Sequence, residues 1–284
     1  MSWFIQTLIG GLTAGSVYAV IALGVVMIYN VSKVLNLAQG EFAVLGALLM
    51  VTLWSSWRLP LYVALPLAVA GAMVAGLALE HLLIRRMKSA PVSTLLVVTL
   101  GFSIFLRGVF MVVWGKDPLV LPSILQADII RFHGVSVMPE VLLLWGAIAL
   151  LSLLTWLFFS RTLLGKAIRA CSENPDAASL SGINVWGLHR LSYMLSAGIG
   201  AIGGILFAPI TFVTYDAGIL LGLKGFAAAL MVGVSSIGGG ILAGLLLGVA
   251  EALSASYVSS VFKDATAFLL LIAVLIIRSR RAVR

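Results

Sequence analysis

Long uninterrupted runs of apolar residues dominate this chain of 284 residues and limit what it can fold into. A helix that crosses a bilayer needs about 20 mostly apolar residues. Charged residues make up 10% of the chain, against roughly 25% in an ordinary soluble domain. The chain is therefore predicted to lie in a membrane. Its candidate spans lie at 5–29, 37–56, 61–84, 92–114, 137–159, 190–212, 219–236, 239–257 and 264–278.

The apolar runs are continuous rather than alternating, and each is about twice as long as a strand of a membrane barrel. Backbone groups in lipid must be bonded within the protein, and a helix achieves this alone. We therefore predict an all-α fold, a polytopic integral membrane bundle of about 8–10 transmembrane helices. No polar linker separates two halves, so residues 1–284 are predicted to form one transmembrane domain.

Basic residues fall mainly in alternate connections between the predicted spans. Lys and Arg accumulate on the cytoplasmic side of membrane proteins, so this asymmetry places the 160–190 connection and the C-terminus in the cytoplasm. An odd number of spans then places the N-terminus outside. The formal charge of +8 then reports orientation and not a nucleic-acid binding surface. The predicted cytoplasmic residues are Lys33, Arg85, Arg86, Lys88, Arg161, Lys166, Arg169, Arg190, Arg278, Arg280, Arg281 and Arg284, and the opposite set is Arg58, Lys116, Arg131 and Lys263.

Several polar residues lie within or beside the apolar runs. An ionisable group at the centre of a membrane helix costs roughly 2.5–3.5 kcal/mol, so it usually has a partner or a function. Asn36, Gln39 and Glu41 form a polar patch at the start of the second span, Arg107 lies in the fourth, and Glu251 in the eighth. One interpretation is an interrupted helix that lines a translocation pathway. The alternative is a polar helix start at the cytoplasmic face, with Arg107 paired or reaching the interface.

Glycines recur at four-residue spacing in several predicted spans. Small residues let helix backbones approach closely, which supplies much of the packing between helices in lipid. The triplet Gly240, Gly244 and Gly248 is therefore predicted to form a tight helix crossing. A sliding interface is the other use that such small residues permit.

The sequence lacks motifs for catalysis and for metal binding. Gly165-Lys166 is followed by alanine and lacks the upstream glycine of a phosphate-binding loop. The three histidines, His81, His133 and His189, have no metal-binding spacing, and no serine lies in a G-x-S-x-G elbow. We therefore expect no catalytic residue, no metal site and no cofactor bound by this chain.

A polar segment at 173–183 interrupts the apolar runs on the predicted cytoplasmic side. A chain this apolar has little other solvent-exposed polar surface that a soluble partner could bind. The run Asp176, Ala177, Ala178, followed by Gly182, predicts a docking helix that ends at a flexible turn. Energy from a partner would enter the protein through this segment.

Blocks along the sequence resemble the permeases of bacterial branched-chain amino acid ABC importers. The blocks within 36–46 are similar to the early signature of that family, and those within 165–184 to its cytoplasmic coupling region. The blocks within 224–253 are similar to its C-terminal pattern. Together they cover nearly the whole chain in the family's order. They are 36–42 (NLAQGEF), Gly46, 165–170 (GKAIRA), 174–178 (NPDAA), 182–184 (GIN), 224–229 (KGFAAA), 238–240 (GGG) and 247–253 (LGVAEAL).

This resemblance implies a permease in the bacterial inner membrane that pairs with a second, related permease, two cytoplasmic ATPases that bind ATP and magnesium, and a periplasmic solute-binding protein. The coupling region, about 165–184, is similar to the importer motif E-A-A-x-x-x-G, with Asp176 at the glutamate position. It departs from the motif after Gly182, where I-x-L-P is missing. The residues expected to contact an ATPase are Glu173, Pro175, Asp176, Ala177, Ala178 and Gly182.

The resemblance ranks leucine, isoleucine and valine first as transported solutes. Similar permeases serve importers of urea, short amides and other amino acids, so these stay open as alternatives. The main rival class is a secondary transporter or channel that works alone, with the polar patch and the buried carboxylates as ion-coupling groups. A membrane enzyme is a third class, for which the sequence supplies no nucleophile or cofactor motif.

Overall fold

The computed structural model describes residues 2–87, 90–125, 127–132, 134–260 and 262–282. Apolar segments form helices along the chain, and one connection contains a short antiparallel hairpin, β1 (Ile130–Phe132) and β2 (Val135–Val137). The helices are α1 (Ser2–Ser32), α2 (Gln39–Met50, continued by a π-helix, Val51–Ser56), α3 (Leu61–Ala78, continued by a π-helix, Leu79–Ile84, and a 3₁₀ turn, Arg85–Met87), α4 (Val92–Trp114), α5 (Pro139–Arg161), α6 (Leu163–Glu173), α7 (Pro175–Leu180), α8 (Val185–Phe207), α9 (Ala217–Val232), α10 (Ile237–Tyr257) and α11 (Lys263–Ala282).

The helices follow the apolar runs of the sequence. Each of the nine predicted spans overlaps a helix, and the bounds of α4 agree with the predicted span at 92–114. The predicted all-α polytopic fold is therefore confirmed. Lys88, His133 and Arg284 lie outside the described residues. Within the described residues, six helices are long and apolar enough to cross a membrane: Ser2–Ser32, Leu61–Met87, Val92–Trp114, Pro139–Arg161, Val185–Phe207 and Ile237–Tyr257.

Helix α8 begins at Val185 and ends at Phe207, whereas the apolar pattern predicted a span at 190–212. The early start is stabilised by Asn184, whose Oδ1 accepts a hydrogen bond from the Gly187 N–H at 2.9 Å. Ala208 keeps helical angles, with φ −56° and ψ −36°, and the helix ends before Pro209 because proline has no N–H to continue the helical hydrogen bonds. Residues 208–216 therefore form a non-helical connection to α9.

Helix α1 lies at the centre of the bundle, with α8, α9 and α10 packed around it. In its most apolar stretch 89% of the residues are buried, against 22% for α4 and for α5. A helix enclosed in this way needs neighbours that approach closely.

The crossing of α1 and α10 depends on glycine. A Cβ atom on Gly248 would overlap the backbone of Gly15, and one on Gly244 would lie 2.5 Å from the Ala19 nitrogen. Gly240 has more room, because its Cβ position is 3.5 Å from the nearest atom, which is an ordinary van der Waals distance. Two of the three glycines in the triplet therefore set the closest approach of the helices.

Candidate functional site

The chain leaves helical geometry at the predicted polar patch, between α1 and the start of α2. Asn36 is 1% exposed, and its Oδ1 accepts a hydrogen bond from the Ala38 N–H at 3.1 Å. The Leu37 N–H donates to Thr99 Oγ1 of α4 at 3.3 Å. Such bonds satisfy backbone groups that a break in a membrane helix leaves free. The non-helical segment is thus enclosed by protein.

Gln39 ties the start of α2 to two other helices. Its Nε2 donates to the Ser196 carbonyl oxygen at 3.0 Å, and its Oε1 lies 2.8 Å from Ser196 Oγ on α8. The same hydroxyl lies 2.9 Å from the Gly24 carbonyl oxygen on α1. A Cβ on Gly24 would overlap the Gln39 amide, so this glycine makes space for the buried side chain. The three helices are held together at this point.

Glu41 and Arg107 meet in the interior next to this junction. Glu41 is buried, and its Oε1 accepts a hydrogen bond from Ser103 Oγ at 2.8 Å and lies 3.4 Å from Arg107 Nε. Its other oxygen faces Gly218, in the first turn of α9. Negative charge is stabilised at a helix N-terminus. Glu41 therefore links α2 to both α4 and α9, and Arg107 is paired.

A cavity of about 560 Å³ lies between α1, α2, α8, α9, α11 and the 208–216 connection. It is at the end of the bundle where α8 and α10 end, away from α6 and α7. The α2 wall is apolar, whereas the walls near α9 and α11 carry charged side chains. The apolar α2 residues are Ala43, Val44 and Ala47, and the charged residues are Asp216, Lys224, Lys263 and Asp264.

Lys224 is the centre of a charged cluster beside this cavity. Its side chain is 5% exposed, and its Nζ lies 2.7 Å from Glu251 Oε1 and 2.6 Å from Asp264 Oδ1. The Tyr18 hydroxyl donates to Glu251 Oε2 at 2.9 Å, and Lys263 Nζ lies 3.3 Å from Glu251 Oε1. Two ammonium groups thus face two carboxylates. The cluster joins α1, α9, α10 and α11.

Sequence reasoning marked Glu251 as a buried ionisable residue but did not identify Lys224 as its partner. The available signal was a lysine inside the apolar run at 219–236, because such a charge requires compensation. The two carboxylates that compensate Lys224 lie 27 and 40 positions further along the chain. Their identity depends on how α9, α10 and α11 pack, which the sequence pattern does not specify.

The polar segment at 173–183 contains a short helix, α7, followed by a glycine turn. Asn174 begins the helix, and its Oδ1 accepts hydrogen bonds from the N–H groups of Asp176 and Ala177 at 3.1 and 3.0 Å. Gly182 follows the helix with a φ of +81°, a conformation that favours glycine. Local sequence therefore fixes both ends of α7.

Five of the six residues expected to contact an ATPase are exposed. Ala178 differs, because it is 4% exposed and packs in a hydrophobic cluster with Ile168, Cys171 and Leu188. It anchors α7 to α6 and α8. The exposed five are Glu173, Pro175, Asp176, Ala177 and Gly182.

Helix α6 is amphipathic and anchors the same region. Ile168 and Cys171 are buried, whereas Lys166 and Arg169 are exposed. Burial raises the pKa of the Cys171 thiol. Lys33, just after α1, donates from Nζ to Ser172 Oγ at 2.7 Å. These contacts connect the α6–α7 region to α1.

Comparison with known proteins assigns the chain to a family. Residues 7–277 match the family described as branched-chain amino acid transport system / permease component. The chain belongs to this permease family. The permease is 32% identical to the high-affinity branched-chain amino acid transport system permease protein LivH of Escherichia coli K12, over 97% of this chain and 94% of that protein. It is equally similar to BraD of Pseudomonas aeruginosa, at 32% identity with the same coverage.

A solved structure supports the same architecture. The permease resembles a chain of PsaBC from Streptococcus pneumoniae in complex with Fab, with a TM-score of 0.52 over 96% of this chain and 90% of that one. The sequences are 16% identical, so this likeness concerns the fold alone.

Proposed function

We propose that this permease is the transmembrane subunit of an ATP-binding-cassette importer that carries leucine, isoleucine and valine into a bacterial cell. One observation carries the proposal. The chain is 32% identical to LivH along 97% of its length, and LivH is named as a high-affinity branched-chain amino acid permease. Similarity along the whole chain supports the same role as a subunit.

The proposal includes a set of partners. They are a second related permease, two cytoplasmic ATPases that bind ATP and magnesium, and a periplasmic solute-binding protein. The permease would lie in the inner membrane with its C-terminus in the cytoplasm, which the asymmetry of Lys and Arg supports. In this orientation α7 faces the ATPases and the cavity opens toward the periplasm.

Coupling would proceed by rigid contact through α7. Closure of the ATPases on ATP would push on the exposed residues of α7, and the packing of Ala178 would pass the force to α6 and α8. Helix α8 is joined to α1 and α2 through Ser196 and Gln39. Its movement would exchange an outward for an inward opening. A nucleotide biases these two states only through different affinities for them.

The interior polar layer would form the next part of the pathway. Asn36 Nδ2 and Glu41 Oε2 have no hydrogen-bond partner among the described residues, so both have capacity for a polar solute. Gln39 lies between Asn36 and Glu41 in the chain, and Arg107 forms the ion pair with Glu41. Separation of α2 from the start of α9 would expose this layer to the cavity.

Purification from native membranes tests the assembly. A tagged chain should copurify with an ATPase and a second permease. In vesicles that contain this complex and its binding protein, ATP should drive uptake of radiolabelled leucine. Isoleucine and valine should compete, whereas urea and acetamide should not. Ion-driven uptake by the chain alone, with no ATPase bound, would contradict the proposal, and competition by urea would reassign the solute.

The coupling role needs a separate variant. Asp176→Asn combined with Gly182→Ala should abolish leucine uptake while the complex still hydrolyses ATP. The matched control is Asp128→Asn with Gly115→Ala, because Asp128 is exposed and Gly115 has a similar φ of +86° in a different connection. The control pair should leave uptake unchanged, and uptake that survives in the Asp176→Asn, Gly182→Ala pair would overturn the role of α7.

A further inference from the structure

The charged groups around the cavity differ in how completely they are paired. Lys224 is saturated, because two carboxylates and the Tyr18 hydroxyl surround its ammonium group. Lys263 is 49% exposed and uses its Nζ for one contact, to Glu251. Asp264 is 52% exposed and uses one oxygen for Lys224. The cluster therefore presents unused donors and acceptors to the cavity.

Asp216 supplies a further negative charge that the cluster does not balance. The two lysines are matched by Glu251 and Asp264. Asp216 immediately precedes α9, is exposed, lines the same cavity and forms no ion pair among the described residues. The N-terminus of α9 stabilises this carboxylate, and a cationic group on a ligand would add an ion pair to it.

The other groups of the cavity define the rest of that ligand. The unused donors of the Lys263 ammonium group favour an anionic group on the same molecule. The accessible wall is largely apolar, with Phe212 and Leu220 exposed in it, so it favours an apolar side chain. Ammonium, carboxylate and an apolar side chain together describe an apolar amino acid, and neutral urea or an amide lacks both charges.

We propose that this cavity is an amino acid subsite of the permease, in which Asp216 binds the α-ammonium group, Lys263 binds the α-carboxylate and the apolar wall around Phe212 and Leu220 contacts the side chain. The inference rests on the proposed function and names the residues that select the solute within the permease. It places part of the selectivity in this chain, in addition to any selection by a binding protein. Asp216 and Lys263 are thus specificity-determining residues.

Equilibrium binding to the purified permease complex in nanodiscs tests the subsite, without ATP and without the binding protein. The probe is radiolabelled leucine, displaced by leucine, by leucinamide, which lacks the carboxylate, or by 4-methylpentanoate, which lacks the ammonium group. Lys263→Gln should lower the affinity for leucine by about tenfold and leave the affinity for leucinamide unchanged. Asp216→Asn should lower the affinities for leucine and leucinamide by about tenfold and leave the affinity for 4-methylpentanoate unchanged.

Matched controls are Lys116→Gln and Asp128→Asn, because both residues are exposed in the 115–129 connection and do not line this cavity. These variants should bind leucine as the unaltered protein does. Equal leucine binding by all four variants, or no leucine binding by the unaltered complex at millimolar concentration, would overturn the subsite. ATP-driven leucine uptake by the same complex reports on the proposed function separately, so uptake with no such binding would reject the subsite alone.

Discussion

Lys224 on α9 and Glu251 on α10 are joined by an ion pair of 2.7 Å, with side chains 5% and 1% exposed. Removing Lys224 leaves Glu251 with Tyr18 and the half-exposed Lys263 as partners, so the cost should lie near the lower end of the range for a broken buried pair, at about 3 kcal/mol. Lys224→Met should therefore destabilise the permease by about that amount. The free energy of unfolding is measured by denaturant titration in detergent micelles, with circular dichroism as the probe.

The double variant Lys224→Met, Glu251→Leu provides the control for this prediction. Replacing both members of a buried pair with apolar residues is often nearly neutral, so the double variant should recover most of the lost stability. A single variant as stable as the unaltered protein would show that the ion pair is unimportant. A double variant less stable than Lys224→Met would show that Glu251 is stabilised mainly by Tyr18 and Lys263.

The α1–α10 crossing allows a comparison of two glycines on one helix. Gly244→Ala places a Cβ 2.5 Å from the Ala19 backbone nitrogen, and such overpacking should destabilise the protein by about 1–3 kcal/mol. Gly240→Ala has 3.5 Å of space and should be neutral or stabilising, because alanine favours helix by about 1 kcal/mol over glycine. Thermal unfolding of the two variants measures the difference, and equal melting temperatures would contradict the close crossing.

The N-terminus of α7 depends on the Asn174 side chain. Asn174→Ala removes the acceptor for two backbone N–H groups, which costs about 1 kcal/mol. Hydrogen exchange of the amides at 176–181 should become about fivefold faster. Asn174→Asp retains a capping oxygen and should exchange at the original rate. Unchanged exchange in Asn174→Ala would mean that packing of Ala178 alone holds the helix.

The α6–α7 region carries one native thiol, Cys171, and this allows a test of reactivity and orientation. Cys171 is buried, and burial raises its pKa, so little of the reactive thiolate should form at neutral pH. Maleimide should label it slowly until the protein is denatured. In a Cys171→Ser background, the exposed position Ser179→Cys should react rapidly.

The sidedness of that labelling tests the orientation. An impermeant maleimide should label Ser179→Cys in inverted vesicles and Asp128→Cys in right-side-out vesicles. The reverse result would place α7 outside the cell and reject the coupling role proposed for it. Rapid labelling of native Cys171 would contradict the packing of α6.

The apolar pattern was sufficient to place the helices because lipid leaves the backbone little choice. Continuous apolar runs predicted α4 with its observed bounds and found every other long helix. Local side-chain chemistry then moved individual ends, as at α8, where Asn184 and Pro209 act outside the apolar pattern. The two π-helical segments, 51–56 and 79–84, have no comparable signal in the apolar period.

The interior polar residues were predictable one at a time but not as pairs. The cost of burial marked Glu41, Arg107 and Glu251 before their surroundings were known. The pairing of Glu41 with Arg107 joins positions 66 residues apart, and that of Lys224 with Asp264 joins positions 40 apart. Such pairs depend on which helix faces which, so they require the tertiary structure. The cavity and the place of Asp216 in its wall could not be inferred from spacing for the same reason.

The enclosure of α1 has a consequence for biogenesis. Helix α1 leaves the ribosome well before α10, the partner that fits its glycine surface most closely. During translation, α1 must therefore wait in the membrane with its small-residue face against lipid or an insertion factor. Assembly of the bundle then requires later helices to enclose this earlier one.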